Sequence, residues 1–138
     1  MMLGSWEYLV AWFRAFLFTE AVEVPTYMLL SLLALRVRVS STEPRIRFAA
    51  AFTASAITHP AVWFIFPTLG MHRGWSFNGM VVMAELFAWL AEACFLRAVV
   101  KVRALDAMLI ALAANAASVA LGEATREITF RLLGTSYP

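Results

Sequence analysis

An all-α membrane bundle of four spans is the fold class this sequence predicts, on three observations. Four apolar stretches are each long enough to cross a bilayer, basic residues gather in alternate connections, and the composition is too apolar for a small soluble domain. Of 138 residues, 62% are hydrophobic and 14% charged, and the mean hydropathy is +0.77. Soluble domains are about half apolar and about a quarter charged. A chain this short buries only about two-thirds of its unfolded surface, so the surplus apolar surface calls for lipid as a partner.

The first stretch covers about residues 6–35, the second about 46–69, the third about 77–100 and the fourth about 105–122. At 1.5 Å per residue, a helix of about 18–20 residues spans the hydrocarbon core. Pro44-Arg45 bounds the second stretch before it, and Gly70-Met71-His72-Arg73-Gly74 follows. After Gly122 the pattern changes: Glu123, Arg126, Glu127 and Arg131 alternate with Ile128, Phe130, Leu132 and Leu133. That reads as an amphipathic surface extension to about residue 133. Residues 1–5 hold no Lys or Arg, and two glutamates interrupt the first stretch, so it reads as a retained span and not a cleaved signal. No linker or repeat divides the chain, which is read as one domain, 1–138.

Charge placement gives an orientation. Arg36, Arg38, Arg45 and Arg47 lie in or beside the first connection, and Arg97, Lys101 and Arg103 in or beside the third. The positive-inside rule then places these connections in the cytoplasm and both termini outside. Trp6, Tyr8, Trp12 and Trp75 suit the opposite interface. The formal net charge of +2, with its arginines at span ends, excludes a nucleic-acid-binding stripe, and the single Cys94 excludes an internal disulfide.

The apolar stretches also hold residues that lipid disfavours. Glu20 and Glu23 lie in the first, His59 in the second, Glu85 and Glu92 in the third, and Asn115 and Ser118 in the fourth. An ionised carboxylate at a helix centre costs about 2.5–3.5 kcal/mol on the insertion scale. Counted from the cytoplasmic ends, Glu23 and His59 fall about 18 Å deep, Asn115 about 16 Å, and Glu20, Glu85 and Ser118 about 20–22 Å. Glu92 is shallower, at about 12 Å. Glu20, Glu23 and Tyr27 share one helical stripe; Asn78, Glu85 and Glu92 form a second; Ser55, His59 and Trp63 a third. Ala107, Ala111, Asn115, Ser118 and Gly122 form a face of small residues fit for close helix contact. Pro25 and Pro60 each free a backbone carbonyl one turn earlier.

Carboxylates and an imidazole on facing helices suit a divalent cation such as Zn, Mn or Fe. The expected ligands are Glu23, His59, Glu85 and Glu92, supported by Glu20, Asn115, Tyr27 and Ser118. The Glu-x-x-His pairs of di-iron bundles do not occur here. The same cluster also fits a structural network of protonated glutamates hydrogen-bonded to His59, Asn115, Tyr27 and Ser118, or a proton or substrate site. The functions implied are a metal-binding membrane protein, a minimal carrier or a membrane metalloenzyme. The alternatives are a non-catalytic subunit of a larger membrane complex and an oligomeric proton or ion pathway. Cys94 and His72 are read as packing and as solvated, respectively.

Glu23-Val24-Pro25, Thr58-His59-Pro60 with Trp63, Glu85 with Glu92, and Asn115-Ala116-Ala117-Ser118 with Gly122 together resemble a type of small four-helix bacterial membrane protein. The resemblance implies a four-span fold, and the Arg- and Ala-rich vocabulary suits a bacterial inner membrane. It implies no activity, cofactor or residue role.

Overall fold

The computed structural model describes residues 5–35 and 43–133. In order, these form α1 (Ser5–Leu35), α2 (Pro44–Pro60), a π-helical turn (Ala61–Ile65), α3 (Phe66–Arg73), α4 (Phe77–Val100) and α5 (Ala104–Leu133). Four stretches are long and apolar enough to cross a membrane: Trp6–Leu33, Pro44–Arg73, Phe77–Val100 and Ala104–Ile128. The second span is thus α2, the π turn and α3 in succession. α5 passes Gly122 without a break, so the charged extension continues the last span's helix.

Local chemistry sets the ends. Pro44 opens α2, where its missing N–H costs nothing. Gly74, at φ +67°, closes α3 in the left-handed region, and the Trp75 N–H then reaches the Gly70 carbonyl at 2.9 Å. Ser76 caps α4, its hydroxyl accepting from the Gly79 N–H at 3.2 Å. Lys101 ends α4 at φ 58°.

The four spans pack in a ring, each against its sequence neighbours, with α5 returning to α1. Outward faces carry Leu17, Leu29, Ile57, Leu90, Leu109 and Leu121 exposed, an amount of apolar surface that a water-soluble monomer avoids. Inside, the two halves of the bundle differ. Towards the ends joined by the α4–α5 connection, the core is close-packed and built on alanine: Ala50, Ala51, Ala93, Ala107, Ala111 and Ala114. Small side chains let helix backbones approach one another there. Arg47 lies at this end, beside Tyr27 and Ser31; Arg36 and Arg38 lie outside the described residues.

Towards the opposite end, aromatic side chains separate the first two spans. Trp12 packs on Phe16, His59 and Phe64, and Tyr8 packs on Trp63 and Phe64. Tyr8 and Trp12 therefore face the second span as well as suiting an interface. The π turn sits in this half. Pro60 precedes it and Pro67 follows it. Pro67 has no N–H to offer the Trp63 carbonyl one turn earlier, and the Tyr8 hydroxyl donates to that carbonyl at 2.6 Å. A carbonyl freed away from water needs such a partner. Here α1 supplies it.

Candidate functional site

Glu92 is the hub of the interior. It is 1% exposed. Its Oε1 accepts from the Thr58 hydroxyl at 2.8 Å. Its Oε2 accepts from the Tyr27 hydroxyl at 2.5 Å and from Asn115 Nδ2 at 2.6 Å. The donors come from α1, α2 and α5, so one carboxylate on α4 ties all four spans together. Asn115 uses its second amide proton on the Ala111 carbonyl at 2.9 Å, which fixes its orientation along α5.

Glu23, at 2% exposure, is treated differently. The Ser118 hydroxyl lies 2.7 Å from Glu23 Oε1 and 2.9 Å from the Asn115 carbonyl, and can give its one proton to either. Among the described residues, Glu23 Oε2, both Glu20 carboxylate oxygens and His59 Nδ1 are buried and meet no hydrogen-bonding partner of good geometry. Ser55, itself buried, is a neighbour of both glutamates. His59 sits in an aromatic box, stacked on Trp63 at 6.0 Å between ring centroids and edge-on to Phe16 at 5.4 Å.

These groups border a cavity of about 480 Å³ in the loosely packed half. Its polar wall includes Thr19, Glu23, Ser55, Thr58, His59, Glu85, Glu92, Asn115 and Ser118, and Phe18, Val62, Trp63, Ala88 and Val119 supply apolar surface. It extends towards Thr125 and Arg126 of α5, where Arg126 pairs with Glu123 at 2.6 Å. Glu85 is half-buried on this wall, two turns before Glu92. Gly122 also lines it. A methyl group added there would come 3.8 Å from Phe18, an ordinary contact, so this glycine borders open space and not a neighbouring backbone.

The structure thus gathers seven of the eight residues singled out from sequence into two linked groups and a cavity wall. Tyr27, Glu92 and Asn115 form one group; Glu23 and Ser118 form the other, joined to the first through Asn115. His59 and Glu85 line the cavity, and Glu20 lies buried beside Glu23's neighbour Ser55. Among the described residues, no three His, Cys, Asp or Glu side chains are placed to hold one metal ion. Cys94 is exposed. Thr58, which the sequence reading assigned no role, completes the Glu92 shell. Its spacing of three from Ser55 was the available signal, placing it near the stripe of Ser55 and His59.

Comparisons with protein-family models, with curated proteins and with solved structures return no match.

Proposed function

We propose that this chain is a multi-pass membrane protein, with both termini outside the cytoplasm, that binds a small molecule in the cavity between its spans. One observation carries the reading: a cavity of about 480 Å³ lies between the helices, with the buried Glu23, His59 and Glu92 among its lining residues. The cavity's size falls in the range of about 300–1,000 Å³ typical of small-molecule pockets, and its mixture of apolar wall and few polar groups is theirs also. A divalent cation such as Zn, Mn or Fe needs several converging side chains, and this wall offers it fewer than it offers a larger ligand.

Gly122→Leu tests the reading, because it fills the cavity away from the Glu92 hub and replaces a poor helix former with a good one. The expected result is a variant at least as thermally stable as the parent that has lost a small molecule seen by native mass spectrometry of the gently purified parent. Should the parent carry no such species, and should both proteins respond alike to every added compound, the cavity is packing space and the structural-subunit reading takes its place.

Topology has its own check. A reporter fused after Pro138 is expected to be active as alkaline phosphatase and dark as a cytoplasmic fluorescent protein. The reverse pattern would invert the proposed orientation.

A further inference from the structure

Resting on the ligand-binding reading, we propose that the cavity fills from the side on which α1 begins and α5 ends, and that Tyr27, bonded to Glu92, closes it to the opposite side.

The cavity lies lengthwise in the bundle. On α5 its wall runs from Asn115 to Arg126, about 16 Å at the helical rise. Thr125 and Arg126 stand at one end, both exposed, on the last turns of the span Ala104–Ile128. A guanidinium is costly in lipid and keeps to the water boundary, so this end of the cavity meets water. At the other end the wall is Glu92 and Asn115, both buried.

Behind that floor lies a much smaller cavity of about 20 Å³, bordered by Tyr27, Ser31, Arg47 and Val102 among others. It has room for about one water molecule. Val102 belongs to the α4–α5 connection, so this space sits just inside the opposite end of the bundle. Glu92 and Asn115 border the large cavity and not the small one, and Tyr27 borders the small cavity and not the large one. A single layer of side chains therefore parts them. In it the Tyr27 hydroxyl and Asn115 Nδ2 both donate to Glu92 Oε2, at 2.5 and 2.6 Å. Ala51, Ala93, Ala111 and Ala114 share the close-packed cluster of Tyr27, each no more than 5% exposed. Close helix backbones thus seal the rest. Tyr27 is the bulkiest side chain of the partition, and its bond to Glu92 holds the ring in place.

The competing route is sideways from lipid, because Phe18 on α1 and Val119 on α5 line the cavity and are exposed.

The test is cysteine accessibility in sealed proteoliposomes, on the full-length chain carrying Cys94→Ala. Ser118→Cys puts a thiol near the floor of the large cavity, and Ser31→Cys puts one beside the small cavity. One reagent is a membrane-impermeant thiosulfonate bearing a trimethylammonium group; the other is uncharged methyl methanethiosulfonate. Protease access to a C-terminal tag sorts the molecules by orientation, so labelling from each side is read separately by mass.

The charged reagent is expected to label Ser118→Cys from the side of the termini only, and to leave Ser31→Cys untouched from that side. Adding Tyr27→Ala to Ser118→Cys should admit the reagent from both sides. Adding Gly122→Leu instead, one turn nearer the mouth, should slow labelling from the side of the termini. That comparison keeps the entry side testable even if Tyr27→Ala does not fold. Labelling by the uncharged reagent alone overturns the entry side in favour of lipid, and labelling by neither reagent overturns it as well. Labelling of Ser118→Cys from the α4–α5 side while Tyr27 is present overturns the barrier. So does a folded Tyr27→Ala variant still labelled from one side only. These readouts need no ligand. A cavity labelled as expected that binds no compound overturns the ligand-binding reading and leaves the entry side standing.

Discussion

Glu92→Leu should lower the unfolding free energy of the bundle by about 3–5 kcal/mol, measured by titrating the folded protein with SDS in mixed micelles. The substitution removes three hydrogen bonds to side chains of three other helices. Hydrogen bonds between membrane helices average about 0.6 kcal/mol each, which sets a floor of about 2 kcal/mol. The Thr58 hydroxyl can turn to the Ser55 carbonyl at 3.1 Å, but the stranded donors of Tyr27 and Asn115 remain buried, at about 1–3 kcal/mol apiece where no new partner is found. Glu92→Gln keeps an acceptor in the same place, and the Thr58 hydroxyl can accept from its amide, so about 1 kcal/mol is the expected loss. Equal losses in the two variants would show that shape, and not the acceptor, is what α4 contributes here.

The second large effect concerns the close-packed half. Ala114 is 0% exposed on α5, and a leucine there has no room unless helices separate. Overpacking of this kind costs about 1–3 kcal/mol in cores that can adjust. A contact between helix backbones adjusts poorly, so the upper end of that range is expected. Leu112→Ala, two residues away on an exposed face, should change stability by less than about 0.5 kcal/mol. If Ala114→Leu unfolds at the same SDS fraction as the parent, the spans do not meet at the distance described.

The four long apolar helices were legible in the sequence because length and hydropathy bear directly on a helix's ability to cross a membrane. The inward stripe of Glu20, Glu23 and Tyr27 was legible because the i, i+3, i+7 spacing fixes one helix's face. What joins one helix to another was legible in kind, since Asn115, Tyr27 and Ser118 were expected as the glutamates' partners, but not which glutamate each would meet. Counting residues put Glu92 shallower than the other polar groups, yet it forms the hub, since Tyr27 and Asn115 bring long polar side chains to it from neighbouring helices. Helical period alone also cannot say how far apart two spans stand. The alanine-built half and the cavity half arise from side-chain bulk on facing helices, with Tyr8, Trp12, Phe16 and Phe64 acting as spacers. Gly122 shows the limit well: its spacing continues the face of Ala111 and Ser118, but it stands where the spans have already parted. The π turn is hidden for a related reason, because one extra residue per turn leaves composition unchanged. Pro67, whose missing N–H frees the Trp63 carbonyl for Tyr8, was its readable trace.

The Glu92 hub also imposes an order on biogenesis. Of its three donors, Tyr27 and Thr58 are translated before it, and Asn115 follows 23 residues later. At about 5–20 residues per second, that delay is about 1–5 s. Two of Glu92's three donors, on α1 and α2, are therefore made before the helix that carries Asn115. The last helix brings the third donor to a carboxylate whose other partners precede it in the chain.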